Sequence, residues 1–321
     1  MAPGCFKFIL LISFAKIFPL LTISQNGSFP EFFVKIDTEP QIILCKNDLE
    51  VNNQGGHLQG VQLLQRDNVE YAILSGSSGT YAYYLVAKLD HYCEVLSVNI
   101  LMYKPFKHAG GIQIYQDLMV VGIEDNAAKD KSKICIYKII DPELLPVKSM
   151  AQIEREGEPL RSSAGCTGIT RIGDQYLVVV GDWDTKHLDF YLFDEHRLKQ
   201  NINAFDKVYT IDTEKIDRSA WPDKEWYAYQ NINLLKDADG RLYLIGFGQN
   251  DQNENIADMF IVESKDLKEF RLIKLISKTF NCKEGADFRS GAGIFLQPDG
   301  KIKVISCGSH INNSLILNVF D

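Results

Sequence analysis

The sequence predicts an all-β fold, a five-bladed β-propeller closed by an N-terminal strand, on three observations. A short motif returns five times, with its aligned apolar positions at Val61, Ile112, Ile169, Ile232 and Ile294, spaced 51, 57, 63 and 62 residues apart. Each copy is followed by a strongly apolar run of strand length, at 71–76, 118–122, 176–181, 242–246 and 302–306. Aromatic residues make up 11% of the chain, and with abundant Val and Ile they favour strands over helices. A fixed period with short strands inside it marks a propeller or solenoid. The repeats lack a 3.6-residue apolar periodicity, which disfavours a helical solenoid.

Each repeat can be followed in order. The first strand carries the motif, as His57 to Gln62 and again as His108 to Gln113, with weaker copies ending in Thr170, Asn233 and Phe295. The second strand is the apolar run, a pattern expected of strands buried on both faces. Third strands fit 83–87, 134–137, 188–192, 259–262 and 315–319, and fourth strands 95–102, 147–153, 208–212 and 272–276. Gly173-Asp174, Asp239-Gly240 and Asp299-Gly300 stand between first and second strands, where hairpins need such residues. The fifth repeat runs out at Asp321 after its third strand. Residues 32–36 are expected to supply the missing fourth strand, since closing the ring protects the sheet edges.

The chain ends of this reading are functional too. Residues 1–24 have one early lysine, an apolar stretch and small residues before position 25, the layout of a signal peptide. Residues 25–321 then form a single propeller domain, and the protein is secreted or periplasmic. Lys16 and Pro19 interrupt the apolar stretch, so no stable membrane span is expected. The net charge of −8 repels phosphate backbones, so nucleic acid is not an expected partner. Six cysteines remain beyond Cys5, which allows 15 pairings and selects none of them. None has zinc-ligand spacing. Asn26 and Asn312 begin glycosylation sequons.

Polar residues of the innermost strands should converge on the central channel and hold a ligand there. The candidates are His57, Gln62, His108, Gln113, Thr170 and Asn233, with Asp287 just before the fifth motif. Two histidines in equivalent places could also share a metal, or they could simply bond to backbone carbonyls. Trp221 and Trp226, in the long connection 216–229, offer aromatic faces for a sugar. Their other reading is a hydrophobic plug between blades. No cofactor is required; calcium is the alternative, held by Glu124, Asp125, Asp182 and Asp184. The Gly- and Ser-rich stretch 75–79 lacks the lysine of a phosphate loop, and no nucleophile elbow occurs.

The repeated glycine–β-branched motif and its apolar second strand resemble the five-bladed β-propeller superfamily over essentially the whole mature chain. That superfamily includes glycoside hydrolases of the arabinanase and fructosidase type, calcium-dependent nucleotidases and tachylectin-like sugar-binding proteins. The resemblance implies a ligand in a central funnel, and for its glycosidases a pair of acidic residues on inner strands. Here the motifs themselves carry no carboxylate, and Glu124, Asp125, Asp182 and Asp184 are expected in loops away from the axis. The expectation is therefore an exported propeller that binds a carbohydrate or another small polar ligand without catalysis. The alternatives are a glycoside hydrolase or lyase using His57, His108 and Asp287, and a platform for another protein.

Overall fold

A computed structural model describes residues 28–144, 148–200, 203–297 and 301–321, so the leader segment 1–24 and the Asp299-Gly300 turn lie outside the described residues. The chain begins there with helix α1 (Phe29–Lys35) and strand β1 (Gln41–Lys46). Four-stranded antiparallel ladders follow. The first joins β2 (Leu58–Arg66), β3 (Val69–Ser77), β4 (Tyr81–Lys88) and β5 (Glu94–Tyr103). The second joins β6 (His108–Tyr115), β7 (Leu118–Glu124), β8 (Lys131–Lys138) and β9 (Ala151–Glu156). The third joins β10 (Cys166–Ile172), β11 (Gln175–Gly181), β12 (His187–Phe193) and, after the short helix α2 (Glu195–Lys199), β13 (Phe205–Asp212). The fourth joins β14 (Asn231–Lys236), β15 (Leu242–Gln249), β16 (Asn255–Lys265) and β17 (Glu269–Phe280). The last joins β18 (Ala286–Leu296), β19 (Ile302–Gly308) and β20 (Ser314–Phe320), with β1 paired against β20 from Gln41↔Val319 to Lys46↔Ser314.

Local sequence explains the hairpins. Arg66 pairs directly with Val69, and the two residues between them, Asp67 and Asn68, take φ values of 49° and 66°. Asp and Asn tolerate that left-handed backbone, and a two-residue turn of this twist suits adjoining strands. The second strands are buried almost throughout; all seven residues of β7 are. They lie between neighbouring ladders, so both faces meet apolar side chains. One apolar cluster fills each gap: Leu85 and Leu317 share one between the first and last ladders, Tyr84 and Val121 one between the first and second. Val120 and Val178 meet between the second and third, Phe190 and Leu244 between the third and fourth, Ile245 and Val304 between the fourth and last.

The expected closing strand at 32–36 is instead helix α1. Pro30 sits in the first turn, Glu31 accepts the Ser28 N–H at 3.0 Å, and Phe29 and Phe33 are buried one turn apart. Those are helix-start signals, and two aromatics at i and i+4 make one apolar face. That face packs into the cluster between the fourth and last ladders, with the Phe29 and Tyr243 ring centroids 5.1 Å apart. Lys278 then donates to the carbonyls of Phe33, Val34 and Ile36, which end the helix. The strand beside β20 is β1, ten residues further on.

A disulfide joins Cys45 of β1 to Cys93, the residue before β5. It ties the last ladder to the first, where backbone pairing amounts to Lys46↔Glu94. Cys135, Cys166, Cys282 and Cys307 are free thiols. Replacing Cys45 and Cys93 together by Ser should lower the unfolding free energy by about 2–4 kcal/mol, as expected when a loop of this length is opened. Urea denaturation reads this directly; an unchanged midpoint would mean that backbone pairing and packing alone hold β1.

Candidate functional site

The inner strands β2, β6, β10, β14 and β18 crowd one another closely. A Cβ on Gly111 would sit 2.5 Å from the Gln230 carbonyl oxygen, and one on Gly293 would sit 2.1 Å from Gln62 Nε2. The motif glycines are therefore required by close approach. Beyond its ladder partner an inner strand makes little backbone pairing, such as Cys166↔Gly111 between β10 and β6 and Ser77↔His108 between β3 and β6, so side chains satisfy further amides. Gln113 Oε1 accepts from the N–H groups of Ile169 (2.7 Å) and Leu234 (2.8 Å), while its Nε2 donates to Leu234 O (2.8 Å). Asn233 Oδ1 accepts from Gln62 Nε2 (3.1 Å) and from Ile294 N (2.9 Å). Thr170 is fully buried beside them. The expectation that Gln62, Gln113, Thr170 and Asn233 meet a ligand is corrected accordingly: they form a solid shaft beneath the funnel.

Its floor is a hydrogen-bonded chain. His57 Nδ1 lies 2.7 Å from its neighbour's carbonyl, Leu58 O. Gln59 Nε2 lies 2.9 Å from His57 Nε2, and Gln59 Oε1 accepts from Gln230 Nε2 at 2.6 Å. Above the floor opens a cavity of about 700 Å³. Because inner and second strands run antiparallel, the starts of the former and the ends of the latter meet at this one mouth. The inner strands bring His57, His108, Asp287 and Arg289; the second strands bring Glu124, Asp182, Gln249 and Ser309. Another recess, of about 460 Å³ beside Met102 and Tyr137, contains neither carboxylate nor histidine.

Glu124 and Asp182 were expected in loops off the axis. Both line the funnel instead, because each closes or follows an apolar second strand at the mouth. A sequence signal for this exists: a glycine near the end of every second strand is followed within two residues by a polar one, namely Ser77, Glu124, Asp182, Gln249 and Ser309. Asp184 also lines the cavity and is exposed.

The two buried acids differ in their partners. Asp182 accepts His187 N and faces His187 Nδ1, both at 2.7 Å, with Arg161 at 3.8 Å. Its hydrogen-bonding capacity is largely used within the third ladder. Glu124 accepts one bond, from Ala164 N at 2.8 Å, and its Oε1 is buried without a hydrogen-bond partner. Burial pushes its carboxyl up to about 7, against the opposing effect of the Ala164 N–H. His108 Nε2 lies 3.7 Å from that free oxygen. Burial, and secondarily His57 and nearby lysines, depress His108 to about 3, so its imidazole is neutral and does not form an ion pair with Glu124 at neutral pH. Asp287, half-exposed, has Oδ1 fixed by Ser290 N at 2.6 Å.

Trp221 and Trp226 do not reach the funnel, which corrects their expected role in stacking on a sugar. They wedge between the third and fourth ladders, with ring centroids 5.4 and 5.3 Å from Phe260. The wholly buried Lys274 lies among them, 2.7 Å from both Asp223 and Asp258. The tryptophan at the mouth is Trp183, with Lys129 Nζ 3.4 Å from its ring centroid. Among the described residues, no group of three or more His, Cys, Asp or Glu side chains could hold a metal ion. Asp125 uses Oδ1 on the N–H groups of Ala127 and Ala128, within a turn.

No protein-family model matches the chain, and no curated protein matches it. Its fold is similar to that of β-fructofuranosidase from Schwanniomyces occidentalis complexed with fructosyl-erythritol, with a TM-score of 0.52 and 9% identity. The match covers 88% of this chain and 58% of that one. It is similar also to a bifunctional GH43-CE protein from Bacteroides eggerthii, with a TM-score of 0.50 and 10% identity over 88% of this chain and 34% of that one. An α-L-arabinofuranosidase from Podospora anserina in complex with cellotriose gives a TM-score of 0.49 at 9% identity, covering 88% of this chain and 98% of that one. The chain thus spans little more than half of the first of these proteins and about a third of the second. The solved structures it is like are members of the five-bladed β-propeller superfamily, and at these identities the likeness is one of fold. The expectation of a non-catalytic binder is overturned here. It depended on a funnel without acids, whereas four carboxyl groups line this one, and the similar structures named above include a β-fructofuranosidase.

Glu124 has a stability consequence with a definite sign. Its folded-state proton is held more tightly than in the unfolded chain, so stability falls as pH rises from about 4.5 and the loss is complete above about 7. Glu124→Gln cannot ionise. Its stability relative to the native chain should grow across that interval by on the order of 3 kcal/mol. Urea midpoints of both proteins at pH 4.5 and 8 check this; a pH-independent difference would show Glu124 to titrate normally.

Proposed function

We propose that this protein is a glycoside hydrolase acting in the funnel of a five-bladed β-propeller that β1 closes. The five ladders are read as blades because each apolar cluster joins successive ladders and the last joins the first. The observation that carries the activity is Glu124: a buried carboxyl with one oxygen unused by the protein, still protonated around neutrality, at the wall of a polar cavity. A general acid for glycosidic cleavage needs that protonation state. Asp287 lines the same cavity from the fifth ladder, while Glu124 comes from the second, and these ladders are not neighbours in the ring. Two carboxyls on separate walls can flank one scissile bond.

In this mechanism Glu124 donates its proton to the leaving oxygen as the bond to the anomeric carbon breaks. Asp287, oriented by the Ser290 N–H, supplies the carboxylate that attacks that carbon or deprotonates water. His108 is a neutral neighbour of Glu124, and the charges of Lys129 and Arg155, which favour the ionised form, are outweighed by burial. His57 is a wall residue, tied to Leu58 and Gln59. The Cys45–Cys93 disulfide supports a secreted or periplasmic location, since such bonds persist in oxidising compartments. On this reading residues 25–321 form one domain behind a cleaved leader.

Turnover of a panel of aryl glycosides and oligosaccharides tests the proposal. Glu124→Gln and Asp287→Asn should each lower kcat roughly a hundredfold to ten-thousandfold with KM little changed. The native rate should fall above about pH 7, where Glu124 loses its proton. Full activity in either variant, or a rate that keeps rising past pH 8, would remove these roles.

A further inference from the structure

The funnel carries both signs of charge, with Asp287 on the same strand as Arg289. Glu124, Asp182 and Asp184 enter from the second and third ladders, whereas Arg289 and His310 enter from the fifth. Other arginines are engaged by the protein: Arg155 and Arg161 hold Asp189, Arg197 holds Asp206, and Arg218 donates to Thr213 and Lys224 carbonyls. Arg289 is different. It is exposed at the cavity and makes no hydrogen bond or ion pair with any described residue, although Asp287 lies two residues away on the same strand. Lining the same cavity, the Ser309 hydroxyl lies 2.9 Å from His310 Nδ1, and His310 Nε2 has no hydrogen-bond partner among the described residues. A guanidinium without a protein partner in the recess of a protein of net charge −8 offers an anion a direct contact that the arginines named above, spent on the protein, do not.

Of the three acids on the opposite wall, Asp184 is exposed to solvent and the other two carry little free negative charge. Glu124 is uncharged through much of the range below pH 7, and Asp182 is bonded to His187 with Arg161 close by. A planar guanidinium with five free N–H donors matches a carboxylate or sulfate in a two-pronged contact, which a neutral sugar hydroxyl cannot use fully.

We propose that the funnel takes an acidic sugar, a uronic acid or a sulfated sugar, whose anionic group sits on Arg289 with His310 and Ser309 beside it, adjacent to Asp287. Cleavage of such a sugar rests on the hydrolase reading; its binding does not.

The experiment measures calorimetric affinity for glucuronate, galacturonate and glucose 6-sulfate against glucose and galactose. The proteins are the native chain and its Arg289→Ala, Arg289→Lys and Glu124→Gln variants. An acidic sugar should bind at least about tenfold tighter than its neutral counterpart, and Arg289→Ala should abolish that preference, as loss of a charge-assisted contact requires. Arg289→Lys should restore part of it, and Glu124→Gln should retain it. Preference for the uronates or for the sulfate identifies which anion is the ligand. Equal affinity for acidic and neutral sugars, or a preference that survives Arg289→Ala with the fold intact by circular dichroism, would overturn the proposal. The hydrolase reading fails separately: Arg289-dependent binding without cleavage of any uronide or sulfated glycoside leaves the acidic-sugar site standing, whereas Glu124-dependent cleavage of neutral glycosides indifferent to Arg289 does the reverse.

Discussion

Everything at the centre of this protein depends on how closely its five innermost strands approach one another. Strands that converge on an axis cannot all pair edge to edge, so each leaves N–H and C=O groups facing inward and out of reach of water. Gln113 answers this by bonding to two backbone N–H groups and a carbonyl at once, Asn233 by joining Ile294 to Gln62, and Thr167 by bonding to the Gly111 and Val120 carbonyls. Their bonds need backbones in near contact, which the motif glycines allow. The shaft is therefore filled at these residues, and the cavity opens at the mouth above Gln59.

The same burial acts on two carboxyls with opposite results. Asp189, inside the third ladder, is contacted by Arg155, Arg161, Lys207 and Thr210, and although desolvation is the largest single effect, these partners together hold its carboxyl well below the usual range. Glu124 has one backbone N–H, a neutral imidazole and only the through-space charges of Lys129 and Arg155, so desolvation prevails and the proton is retained. Asp189 is a fastening between strands. Glu124 is a proton held at the edge of a cavity, and the difference lies wholly in the neighbours.

Parts of this arrangement were legible from the residues. The five repeated motifs, four of them glycine–β-branched and the fourth Asn231-Ile232, and their apolar second strands mark the innermost and second strands at Val61, Ile112, Ile169, Ile232 and Ile294. Asp287, His57 and His108 were singled out as polar residues near the axis, and all three line the cavity. Residues 32–36 misled because Phe-Phe-Val-Lys-Ile satisfies a strand pattern as well as a helical one, and the decisive features, the Ser28–Glu31 contact and Pro30, lie just upstream. Trp221 and Trp226 looked like a sugar platform because nothing in their own segment reveals Phe260 and Lys274, which arrive from another part of the chain to enclose them.

By itself the sequence determined the periodic alternation of short apolar strands and tight turns, since those depend on residues close together in the chain. It also determined the placement of glycine where inner strands meet. Only the tertiary structure decided which polar groups face a cavity and which are consumed by backbone, because that depends on what the next ladder presents. Gln113 and Glu124 illustrate the point: one polar residue within an inner strand is spent on Ile169 and Leu234, the other at the end of a second strand is left with an unbonded oxygen. The partners that set their fates stand 40 to 121 residues away along the chain.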